Sequence, residues 1–199
     1  MLTLHLASTN PHKLAEFQRL FGPSLTLVPA IFPAADNPWK EDGLTFMDNS
    51  ITKAISYSLT HPGLVLADDS GLSVAALGGE PGVRSARYAG PRASDAENRR
   101  LLLHRLADVP QEERTAVFSC ALALATNGQI LVTVEASCRG RITPLPRGRE
   151  GFGYDPIFLP DGALLTFAEM TPEQKDRYSH RSQAVARLRE WLASAQRIG

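Results

Sequence analysis

Asp68 and Asp69 stand side by side at the end of a short apolar run, Leu64-Val65-Leu66-Ala67, and Ser70-Gly71 follows them. The run, bounded by His61-Pro62-Gly63 and Gly71, reads as a buried strand with the two acids at its end. Adjacent carboxylates there repel each other and lose hydration. They stay charged only beside a cation or several hydrogen-bond donors. Strand ends are also where open α/β sheets bind ligands. Taken alone, the tetrapeptide equally suits an Asx-type turn with both acids in water. Glu41, in Lys40-Glu41-Asp42-Gly43, could complete an oxygen-only set with Asp68 and Asp69. Hard oxygen donors without His or Cys suit Mg²⁺, which keeps waters and bridges to phosphates. Read alone, Glu41 is a surface loop acid.

Three further groups could carry chemistry. In Ser8-Thr9-Asn10-Pro11-His12-Lys13, Asn10 suits a helix N-cap and Pro11 the first helical position. Lys13 then falls in the first turn, where a cation costs about 0.3–1 kcal/mol unless an anion lies close. Free N–H groups, the Ser8 and Thr9 hydroxyls and Lys13 would form a phosphate cradle; the alternative is a solvated lysine. No G-x-x-x-x-G-K-[ST] loop occurs. Lys53 is either a solvated helix residue or a second phosphate contact. Gly151-Phe152-Gly153-Tyr154-Asp155-Pro156 sets an aromatic between glycines, where it could stack on a base or simply fill a tight turn. A dinucleotide fingerprint fails there, because the third glycine is missing and no helix pattern follows. Ser179-His180-Arg181, with Lys175 one turn earlier, offers donors suited to a 6-oxopurine, or an ordinary helix junction.

These groups need elements to hold them. Met1–Leu6 alternates like a strand, and Leu14, Phe17, Leu20 and Phe21 give the first helix an apolar side. Leu25–Val28 reads as a strand. Thr45 to Asp48 resembles a capping box opening a helix whose Met47, Ile51, Ile55 and Leu59 form the buried stripe. Asn49, Lys53 and Tyr57 lie on another face. A helix over 94–106, a short one begun by Thr171-Pro172-Glu173-Gln174, and a last one carrying Val185, Leu188, Leu192 and Ala195 inward follow. Thr115–Thr126 and Gln129–Ser137 pair across Asn127-Gly128, a strong hairpin signal. A regular hairpin puts Cys120 and Cys138 on opposite faces, so no disulfide is expected. Early strand–helix alternation with a late hairpin predicts α/β architecture with a mixed sheet.

The formal net charge is zero, from 21 basic and 21 acidic residues, so no global field favours nucleic acid or an anionic membrane. The start of the chain lacks a signal-peptide pattern, and no apolar run is long enough to span a bilayer, which predicts a soluble, cytoplasmic protein.

The segments ASTNPHK, EDGLTFMDNSITKA, LADDSGL, ALGGEPGVRSARYAG, GFGYDPIF and MTPEQKDRYSHRSQA occur in this order from about Leu4 to Leu188. Together they resemble the inosine triphosphate pyrophosphatase family, also called the XTP/dITP pyrophosphatases. The resemblance implies a single domain over 1–199: an elongated mixed sheet flanked by helices, with two lobes and a central cleft. It implies Mg²⁺-dependent hydrolysis of ITP, dITP and XTP to monophosphate and pyrophosphate, and a homodimer. Carried over by position, Ser8, Thr9, Asn10, Pro11, His12, Lys13 and Lys53 hold phosphates. Asp69 is the proton acceptor and a metal ligand, Glu41 a second ligand, and Ser70 touches substrate. Phe152, Gly153, Tyr154 and Asp155 frame base and sugar, while Lys175, His180 and Arg181 read the base. Two departures stand out: Lys40 replaces a frequent acid before Glu41, and Asp176 a common Asn after Lys175. The competing expectations are a pyrophosphatase for other modified nucleotides and a catalytically silent purine-nucleotide-binding module.

Overall fold

The computed structural model describes residues 2–8, 10–29 and 42–195. Thr9 and Glu41, both expected in the site, lie outside the described residues. The elements are β1 (Leu2–Ala7), α1 (Pro11–Phe21), β2 (Leu25–Pro29), α2 (Phe46–Ser58), β3 (Leu64–Val74), α3 (Asp95–Arg105), β4 (Thr115–Thr126), β5 (Gln129–Ile142), β6 (Phe158–Pro160), α4 (Pro172–Asp176) and α5 (His180–Ala195). Among the described residues, six strands form one sheet in the order β2-β1-β3-β4-β5-β6. β1 runs parallel to β2 and β3, whereas β5 and β6 are antiparallel. The fold is mixed α/β.

Local chemistry starts the helices where expected. The Asn10 side chain accepts from the His12 and Lys13 amides, and Pro11 follows at the first helical position. Thr45 and Asp48 form a reciprocal capping box, as do Ser94 with Glu97 and Thr171 with Gln174. Asn127 and Gly128 both take positive φ, 49° and 77°, which a two-residue hairpin turn requires.

Two compact units divide the chain: 1–69, 120–136 and 181–199 make the first, 70–119 and 137–180 the second. In the first, strand alternation sorts side chains onto two faces. Leu4, Leu6, Leu66, Leu122 and Leu124 meet Phe17 and Phe21 of α1 and Val185 and Leu188 of α5. Ala7, Val65, Ala67, Ala123 and Ala125 meet Ala54 and Tyr57 of α2. The second unit has its own core around Phe118, Phe158, Phe167, Leu102 and Leu106. Cys120 belongs to the first core and Cys138 to the second, and both thiols are free.

Three expectations change. The two acids do not end a strand: β3 continues through Asp68-Asp69-Ser70-Gly71 to Val74. It is β1 that stops, its last pair being Ala7 with Ala67, so Asp68 begins where the parallel neighbour ends. The buried face of α2 is Asn49, Lys53, Ala54 and Tyr57, while Leu59 is 69% exposed. Exposing one leucine forgoes roughly 1.5–3 kcal/mol. Leaving a buried carboxylate such as Asp69 without its cation costs about 3–5 kcal/mol, so the polar face wins. Finally, α5 carries Val185 and Leu188 inward, but Ala195 is exposed.

Candidate active site

In the first unit, three elements converge on the paired acids. Lys13 Nζ of α1 lies 2.6 Å from Asp68 Oδ2. Lys53 Nζ of α2 donates to the Asp68 carbonyl at 2.7 Å and to Asp69 Oδ1 at 3.2 Å. One turn earlier on α2, Asn49 Nδ2 donates to Asp69 Oδ2 at 3.0 Å, and Asn49 Oδ1 accepts from the Gly43 amide at 2.9 Å. The cations and donors that two adjacent carboxylates need are therefore supplied by the protein itself. Asp68 is also the anion that makes a lysine tolerable in the first turn of α1.

The two acids differ in their surroundings. Asp68 is fully enclosed, and Cys120 Sγ of β4 donates to its Oδ1 at 3.3 Å. Burial pushes the Asp68 carboxyl up, but Lys13, Arg181 and Lys53 outweigh it and hold the group well below the usual carboxylate range. Burial, with the Asp68 charge beside it, pushes the Cys120 thiol well up, so it stays a neutral donor. Asp69 is more open, with its side chain 10% exposed. Its Oδ1 accepts from Lys53 and its Oδ2 from Asn49. Arg181, at the start of α5, pairs with Glu16 of α1 at 2.8 Å, and both are buried. Ser8 Oγ accepts from the Asn10 amide at 3.2 Å, His12 is exposed, and Ser70 follows Asp69 half-buried in β3.

The second unit brings together another set. Asp155 Oδ2 accepts from Lys175 Nζ at 2.8 Å and from the Phe152 amide at 3.0 Å. The Lys175 ammonium lies 5.5 Å from the Phe152 ring centroid and 5.3 Å from that of Phe167, within cation–π range. Gly151 has φ +74°, and a Cβ there would sit 2.1 Å from Asp155 Oδ2, so only glycine fits. Tyr154 is buried and its hydroxyl donates to the Ser85 carbonyl at 2.9 Å. His180 is buried with its ring stacked on Phe118, centroids 4.8 Å apart and planes 4° apart.

A family model described as the Ham1 family matches residues 4–191. The chain belongs to the Ham1 family. A dITP/XTP pyrophosphatase of Geobacillus kaustophilus is 46% identical over 191 residues, covering 96% of this chain and 94% of that protein. The solved structure of the Staphylococcus aureus Ham1 protein superposes with a TM-score of 0.85 at 35% identity, covering 97% and 99% of the two chains. A Mycobacterium abscessus structure described as a nucleoside-triphosphatase / dITP/XTP pyrophosphatase gives a TM-score of 0.74 at 44% identity, covering 94% and 98%. The six-stranded mixed sheet with its flanking helices is thus the Ham1 fold.

Sequence reasoning gave no role in a site to Asn49, Cys120, Glu16, Ser85, Asp95 or Arg99. Asn49 had a signal in its i, i+4 spacing to Lys53, which puts both on one helix face. Cys120 and Glu16 had none, since each meets its partner only through tertiary packing. Among the described residues, no three His, Cys, Asp or Glu side chains converge as a metal cluster. The donor chemistry nevertheless fits a hard cation: Asp69 offers carboxylate oxygen, and the nearby thiol is neutral.

Proposed function

We propose that this chain hydrolyses ITP, dITP and XTP to the nucleoside monophosphate and pyrophosphate, working in the cytoplasm as a homodimer. The observation that carries the reading is the convergence of Lys13 and Lys53 on the Asp68-Asp69 pair. Two cations on a built carboxylate site suit a polyphosphate and a base that activates water. The descriptions of relatives covering nearly the whole chain as dITP/XTP pyrophosphatases agree with it.

Asp69 acts as the general base. It takes a proton from a water whose oxygen attacks the α-phosphorus; the bond from that phosphorus to its bridging oxygen breaks and pyrophosphate leaves. Lys53 and Asn49 orient the carboxylate, each by a bond to one of its oxygens. Lys13 and Lys53, with the residues from Ser8 to His12, hold the phosphates. Asp69 and Glu41 would hold Mg²⁺, which would supply charge neutralisation of the triphosphate. Phe152 to Asp155 frame the base and sugar, and Lys175, His180 and Arg181 favour a 6-oxo over a 6-amino purine. A 6-amino group offers these donors no acceptor where a 6-oxo group does, so ATP is a poor substrate.

The test is incubation of the pure protein with ITP, XTP, GTP and ATP in Mg²⁺, separating pyrophosphate from orthophosphate. Pyrophosphate from ITP and XTP, little from ATP, and loss of turnover with a chelator are expected. Orthophosphate as the product, or no turnover of ITP, sinks the reading. Sedimentation gives the oligomeric state.

A further inference from the structure

The loop that carries Phe152 is gripped by a helix that sequence motifs leave out of the site. Asp95, the first residue of α3, accepts from the Gly153 amide through Oδ2 at 2.7 Å. Arg99, one turn later, donates through Nη1 to the Gly153 carbonyl at 2.6 Å. Both polar groups of one glycine are thus claimed by two side chains at i, i+4 spacing on the same helix face. Asn98, in the same turn, bonds the Ala86 carbonyl at 3.1 Å and the Ala89 amide at 2.8 Å, which fixes α3 against the 82–89 segment.

Gly153 needs such a hold. Its φ is +60°, between Gly151 at +74° and the buried Tyr154, so no regular ladder fixes the backbone beside Phe152. Asp155 secures the Phe152 amide from one side. On the C-terminal side of the residue, the peptide leaving Phe152 ends at the Gly153 nitrogen that Asp95 holds. A charged partner on each bond makes it stronger than a neutral pair.

We propose that Asp95 and Arg99 are positioning residues that set the plane of Phe152 for stacking on the purine of the substrate. The proposal rests on the reading of Phe152 as the base platform. Both act on the loop backbone and have no part in the proposed phosphate chemistry. Their loss weakens substrate binding and leaves the chemical step alone.

The experiment uses Asp95→Ala and Arg99→Ala in the full chain, with Asp95→Asn and Arg99→Lys as conservative partners. Amide hydrogen exchange is followed beside steady-state kinetics on ITP. Faster exchange confined to 150–155, a KM raised roughly tenfold and kcat within about twofold are expected. The conservative variants recover part of the loss, and the double Ala variant is less than additive because both side chains hold one glycine. Unchanged exchange at 150–155, exchange raised throughout the protein, or a fall in kcat at unchanged KM overturns the proposal. If the wild-type protein does not turn over ITP, the proposed function fails; unaltered exchange in the variants then still disproves the clamp separately.

Discussion

Lys13 and Asp68 form an ion pair of 2.6 Å in which the aspartate side chain is wholly buried and the lysine side chain 15% exposed. The pair joins the first turn of α1 to the middle of β3. It gives the positive end of the helix a fixed anion, and it leaves Asp69 as the more open of the two acids. The two carboxylates differ on this point: Asp68 is sealed in its ion pair, while the Asp69 side chain keeps 10% of its surface exposed.

Asp69→Asn therefore loses at least about 100-fold in kcat, the lower range of general-base contributions, while ITP still binds. Single-turnover kinetics with ITP and calorimetric binding check it. Near-normal turnover would exclude Asp69 as the base.

The Asp68 charge has a defined pH signature. Its folded pKa lies below the ordinary value, so its stabilisation is complete above the ordinary carboxylate range and fades as pH falls below it. The stability gap between wild type and Asp68→Asn is expected to stay level from pH 7 to about 4 and to narrow below that. Denaturant melts of both proteins across that range measure it; a gap that widens on acidification contradicts the assignment.

Gly71→Ala is expected to destabilise the protein by about 1–3 kcal/mol through overpacking. The added Cβ would stand 2.3 Å from Ser85 Oγ and 2.9 Å from the Gly82 carbonyl. Ser85 Oγ accepts from the Leu72 amide at 2.9 Å and donates to Gly82 at 2.6 Å, so it has little room to retreat. Chemical denaturation gives the number.

Both thiols resist alkylation in the native state. Burial pushes Cys138 up to about 12 and Cys120 well above its ordinary value, so neither is a thiolate at pH 8. A chromogenic disulfide reagent is expected to titrate none before denaturation and 2 per chain after it. Fast native labelling would show that one of the cores opens.

Much of this architecture is written locally. Asn10, Thr45 and Thr171 start helices because each cap finds its backbone partner within three residues. Asn127-Gly128 turns the hairpin because those residues tolerate positive φ. The motif-bearing segments could likewise be ordered along the chain from residue types. What could not be read there is which charges meet. β3 runs on through two aspartates because Lys13 and Lys53 arrive from other elements. The second helix turns its lysine inward and a leucine outward for the same reason, and Arg181 finds Glu16 only when α5 packs beside α1. Caps and turns depend on bonds a few residues long. The energy of a buried ion pair depends on groups far apart in the chain, and only packing brings those together.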